Sequence, residues 1–215
     1  MKSRLVRLGL FAAILILVSA VPAAADPAFD FGQYGDGALT NNGCGGTCVA
    51  FTSGPFELDV TGWTNDFAQT GLFFKDNGGD EVGLGLVEPA TDNEINFPTN
   101  FIQLDIGKLF LQGVTSIAVA FNSTTDGEIW GLSYSSVSGC KSCGALIASG
   151  NNEGPGSTTT VATLPGTFLD ISSLSPSGGG NLLLANPTPE PASLFLLGSG
   201  LLGLAGMVRR KARKE

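Results

Sequence analysis

The chain has no histidine among its 215 residues. That absence removes Ser-His-Asp and Cys-His nucleophilic catalysis and every imidazole-ligated metal centre. Positive charge is nearly as scarce once the two ends are set aside. Of 11 Lys and Arg, three lie in the first seven residues and five in the last seven. Residues 26–185 therefore hold only Lys75, Lys108 and Lys141 against 17 acids, a formal net charge of −14 where the whole chain has −8. Such a stretch repels nucleic acid and anionic membrane surfaces, which leaves neutral sugars or divalent cations as compatible ligands. No sustained apolar period of 3.6 residues and no convincing internal repeat occurs in this stretch.

The two ends carry what the middle lacks. Lys2, Arg4 and Arg7 precede an apolar run, Leu8 to Val21, and Ala23-Ala24-Ala25 offers a small-residue cleavage site between Ala25 and Asp26. Residues 1–25 thus predict a signal peptide, read by the general secretion machinery, and no nearby cysteine suggests a lipoprotein. At the other end Pro189-Glu190-Pro191 is followed by 17 uncharged residues, 192–208, and then by Arg209, Arg210, Lys211, Arg213 and Lys214. As a helix the run spans about 25 Å, near the short limit for crossing a hydrocarbon core. The basic cluster keeps the C-terminus cytoplasmic and the rest of the chain outside the inner membrane. Prolines ahead of the run predict an extended, accessible stretch, and Asn186 to Pro189 reads as a linker.

Residues 26–185 predict one all-β domain, an antiparallel β-sandwich of jelly-roll type flanked by the signal peptide and a C-terminal transmembrane helix. Phe56 to Val60 alternates apolar and acidic residues. Gly71 to Phe74, Val82 to Val87, Phe101 to Ile106, Ser116 to Phe121 and Glu128 to Tyr134 are further strand candidates. Ile102, Leu104 and Ile106 share a face, as do Ile117, Val119 and Phe121, and Trp130, Leu132 and Tyr134. Later candidates are Ala145 to Ser149, Thr158 to Leu164, Thr167 to Ile171 and Asn181 to Leu184. Ile106 to Gly113 suits a helical turn, and Asp26 to Asn42 an irregular lead-in. Asn, Asp and Gly turns separate the runs.

Three constellations could carry chemistry. Cys44-x-x-x-Cys48 and Cys140-x-x-Cys143 give an even count in an exported chain, which points to two disulfides of open connectivity; a four-thiolate zinc site and a redox-active pair are the alternatives. Asp76, Asp80, Asp92 and Glu94 cluster in Gly- and Asn-rich turns that could hold calcium, although no EF-hand spacing is present. Asx residues in turns more often cap their own backbone, and no cofactor is expected otherwise. Glu81, Glu94 and Glu128 are candidates for a glycosidic acid–base pair. Trp63, Trp130 and Tyr134 could stack on sugar rings, though large aromatics in sandwiches are more often core.

The order triplet, apolar run and basic cluster over residues 189–215 resembles the PEP-CTERM sorting signal. The resemblance implies export by a Gram-negative bacterium, transient membrane anchoring, and cutting near Pro189, Glu190 and Pro191 by a membrane exosortase that delivers the body to the cell surface or matrix. Gly83 to Val87, Asp92 to Ile95 and Gly127 to Trp130 are similar to stretches in the β-rich bodies of such proteins, with no activity attached. The expectation is a non-enzymatic structural or polysaccharide-binding protein of a biofilm-type matrix. The rivals are a carbohydrate-active enzyme using a carboxylate pair and a calcium-dependent adhesin.

Overall fold

The computed structural model of the chain describes residues 28–40, 44–79, 81–87, 92–122, 128–151, 158–175 and 181–190. All lie within one of the chain's two units, Asp26–Ala192. The signal peptide with Ala25 and Asp26, residue Asp80, and the tail with Pro191, the run 192–208, Arg209, Arg210 and Lys211 lie outside the described residues. Among the described residues no helix is long and apolar enough to cross a membrane.

Among the described residues, strand-forming runs separated by turns build two antiparallel sheets, with almost no helix. The first sheet runs β1 (Gly37–Ala38), β5 (Leu72–Asp76), β6 (Val82–Leu86), β14 (Asn181–Leu184), β9 (Ser116–Asn122), β12 (Thr158–Ala162). β7 (Ile95–Asn96) pairs with β14, and β15 (Thr188–Glu190) with β9. The second runs β11 (Ala145–Asn151), β10 (Ile129–Ser135), β13 (Phe168–Ser173), β8 (Phe101–Leu104), β3 (Phe56–Asn65), β2 (Val49–Ser53), with β4 (Ala68–Thr70) on β3. Because side chains alternate across a strand, each sheet turns one row inward. Leu58, Val60, Ile102, Leu104, Leu132 and Ile171 from the second sheet join Leu84, Ile117, Val119 and Phe121 from the first in one core. Phe121 of β9 stacks on Trp130 of β10 with ring centroids 4.8 Å apart, tying sheet to sheet.

Short elements follow local chemistry. Helix α1 (Ile106–Leu111) starts where the Asp105 carboxylate accepts the Lys108 amide at 2.8 Å, an N-cap that satisfies an otherwise unpaired donor. The lead-in is less irregular than its Gly and Asp content predicts. Phe29 and Phe31 are fully buried, and Phe31 meets Phe51 edge-on at 4.6 Å. Gly85 has no alternative: a Cβ there would collide with the backbone of Asn93. The glycine lets the 92–94 turn lie on β6, which carries Glu94 towards β5.

The linker expectation is corrected. Thr188, Pro189 and Glu190 pair with Ala118, Ile117 and Ser116 of β9, and the Ala185 amide donates to the Ala120 carbonyl at 3.0 Å. The Phe29 amide donates to the Pro187 carbonyl at 2.8 Å, and the Phe31 amide to Asn186 Oδ1 at 3.0 Å. Residues 186–190 are therefore stitched into the body from both sides.

Candidate functional site

The outward row of the second sheet is polar where a solvent face would be, yet much of it is covered. Thr61, Gln103 and Asp170 stand side by side across β3, β8 and β13, and Trp63 stands beside Phe101. The two rings stack at 6.0 Å. The segment joining β10 to β11 folds back over this row. Its Gly139 amide donates to Gln103 Oε1 at 2.9 Å, and Gln103 Nε2 donates to Asp170 Oδ1 at 2.7 Å. Gly139 has φ 75°, and a Cβ on it would lie 2.5 Å from the Trp63 ring, so glycine alone brings this backbone down. Its carbonyl accepts the Phe67 amide at 2.6 Å, while Asp66 accepts the Lys141 amide at 2.7 Å.

Beneath that cover Asp170 is 1% exposed, and Oδ2 has no hydrogen-bond partner among the described residues. Burial pushes the carboxyl up to about 7; the Asp66 charge adds to the rise, and the Gln103 hydrogen bond and Lys141 oppose it. Burial lowers the Lys141 ammonium, against the pull of Asp66 and Asp170. No pattern in the sequence singles out Asp170 or Gln103. Only the pairing of β8 with β13 brings them together.

Beside the covered row opens a cleft of about 190 Å³ lined by Cys44, Cys48, Asp59, Thr61, Gln103 and Phe168, among others. Asp59 accepts Lys108 Nζ at 2.7 Å through both oxygens, and Glu57 pairs with the same ammonium. Burial alone would lower Lys108, but the hydrogen bonds to Asp59 and Glu57 outweigh it and raise it.

The cysteines form two local disulfides, Cys44–Cys48 and Cys140–Cys143, with Cα atoms 5.5 and 5.3 Å apart. Cys44, Cys48 and Asp59 cluster closely enough to suggest a metal site, but both sulfurs are spent in the disulfide, so the zinc alternative has no thiolates to use. The acidic candidates are dispersed in role. Asp76 ends β5, and its amide donates to Asp36 at 3.1 Å. Asp92 accepts Asn96 Nδ2 at 3.1 Å. Glu94 is buried and paired with Lys75, which also holds Glu81. Two of the three glycosidic candidates thus converge, but on a shared ammonium; Glu128 is buried on its own stretch ahead of β10. Burial would lower Lys75, and hydrogen bonds to Glu81 and Glu94 outweigh it. Trp63 and Trp130 are nearly buried, and the Tyr134 hydroxyl donates to the Ala162 carbonyl at 2.7 Å.

Of the sorting residues, Pro189 and Glu190 fall in β15. No curated protein and no solved structure matches the chain. One family model does. Residues 187–211 match the PEP-CTERM protein-sorting motif, so the chain carries that sorting motif, which points to export and exosortase processing.

Proposed function

We propose that this protein is a non-enzymatic surface or matrix component whose body, a β-sandwich, binds neutral polysaccharide. Export by the signal peptide, transient anchoring through residues 192–208 and exosortase cutting complete the reading. The observation that carries it is the cleft of about 190 Å³, where Thr61, Gln69 and Ser138 offer hydroxyl-matching donors and acceptors beside Phe168. Sugar sites combine such polar groups with an apolar face, and a disulfide on one wall limits the entropy lost on binding. Against catalysis stands the Lys75 ammonium, which engages Glu81 and Glu94 together and occupies the oxygens a general acid or base would need.

The test incubates the exported body with the producing cell's exopolysaccharide. Retention without new reducing ends, lost in Thr61→Ala and Phe168→Ala, is expected. Release of reducing ends would replace this reading with the carbohydrate-active one, and no retention would remove the polysaccharide role.

A further inference from the structure

The sorting motif begins inside the folded body. Its first matched residue is 187, and Thr188 to Glu190 form β15 on the edge of β9. β14 and β15 run along the same side of β9, opposite β12: Leu183 and Leu184 pair with Asn122 and Phe121, then Thr188 to Glu190 pair with Ala118 to Ser116.

The prolines fit this placement. Backbone donors and acceptors of alternate residues point to the same side of a strand. The Pro187 carbonyl points away from β9, towards Phe29. Pro189, two residues on, therefore also turns its missing N–H outward, while Thr188 and Glu190 present theirs to β9. A proline is tolerated in a sheet at such a position.

We propose that β15 is a latent, self-docked form of the processing site: the body holds the start of the Pro-Glu-Pro triplet in its own sheet, and the exosortase gains it only when Thr188 to Glu190 peel away from β9. This rests on the reading that an exosortase cuts this tail. Enzymes that cut peptides hold them extended through main-chain hydrogen bonds, and the docked strand has none to offer as donors: the Thr188 and Glu190 amides face β9, and Pro189 has no N–H on the open edge. Peeling is a local opening, far less costly than unfolding the body, because β9 keeps β12 and β14. The cut itself breaks one peptide bond, its acyl group passing to water or an acceptor amine and its amine leaving on the tail; docking controls only access to that bond.

The test follows tail removal by mass in cells making the exosortase, with the full chain. Thr188→Cys with Ala118→Cys pairs two residues in register and locks β15 in the oxidising compartment. With the lock verified by non-reducing mass, processing is expected to slow by roughly tenfold or more relative to Thr188→Cys alone, as restriction of a local opening requires. Locked chains processed at the single-variant rate would overturn the proposal while leaving the sorting reading intact. A wild-type chain that is never cut would overturn the sorting reading and the proposal with it. Amide exchange on the uncut wild-type chain gives a reading free of variants. The Thr188 and Glu190 amides are expected to exchange roughly tenfold or more slowly than in a free peptide of the same residues, and equal rates would overturn the proposal.

Discussion

Replacing Asp170 by Asn tests the covered face of the second sheet. Asn keeps the oxygen that accepts from Gln103 Nε2 and removes the titration. The folded carboxyl titrates near 7, about three units above the roughly 3.9 of an unfolded Asp, which corresponds to about 4 kcal/mol. The sign is set by proton binding: between the two values the native state holds the proton and the unfolded chain does not, so stability falls as pH rises. The contribution is fully present below the unfolded value and lost once pH passes 7. Roughly 2–3 kcal/mol of the loss falls between about pH 5 and pH 8. For a body of this size that is roughly 5–10 °C in Tm. Thermal melts of the wild-type body and Asp170→Asn across this range are expected to differ least at the acid end and to separate further towards pH 8, with the variant gaining on the wild type. The other acids titrate in both proteins and cancel in the difference. Two parallel curves would refute the assignment of a buried, proton-holding carboxyl to this position.

Three further outcomes follow from the same contacts. Lys75→Met leaves the buried Glu94 carboxylate without its ammonium and is expected to lower stability by about 3 kcal/mol in denaturant titration; an unchanged midpoint would show the pair to be unimportant. Gly139→Ala places a methyl against Trp63 and forces a positive φ on a residue that resists it. A loss of about 1–3 kcal/mol with altered tryptophan fluorescence is expected, and a silent variant would mean that the covering segment lifts freely. Calcium followed by a chelator is expected to leave Tm unmoved, because Glu94 is already neutralised by Lys75; a clear rise with calcium would restore the acidic turns as a binding site.

Much of the fold was legible because its strands alternate. Ile117, Val119 and Phe121 of β9 point inward, as their period of two requires, and the helical turn after Asp105 follows from an Asp in the N-cap place. The lead-in was not legible. Phe29 and Phe31 stand among Gly and Asp, with no period to betray that both reach the core. The covered face was hidden for a different reason. Alternation marks Gln103 and Asp170 as outward-facing, and outward usually means solvent; they are buried because a distant segment, fixed by Gly139 and Asp66, folds over them. Such burial is a tertiary fact that no local pattern carries. The disulfide pairing was open for the same reason, since both local and crossed bridges satisfy an even count.

The tail shows how one residue type can mislead in one context and inform in another. Proline removes a donor, so a run with prolines reads as a break in structure. That reading holds for a strand paired on both edges. It fails when prolines recur every second residue, because all the missing donors then fall on one edge and leave the other intact. Pro187 and Pro189 have this spacing, and β9 takes up the intact edge through Thr188 and Glu190. Alternating prolines at the start of a sorting signal are therefore compatible with a strand that pairs with the sheet along one edge only. Thr188 to Glu190 pair with β9 alone, so the proposed release has only these contacts to open, and the rest of the two sheets can stay paired.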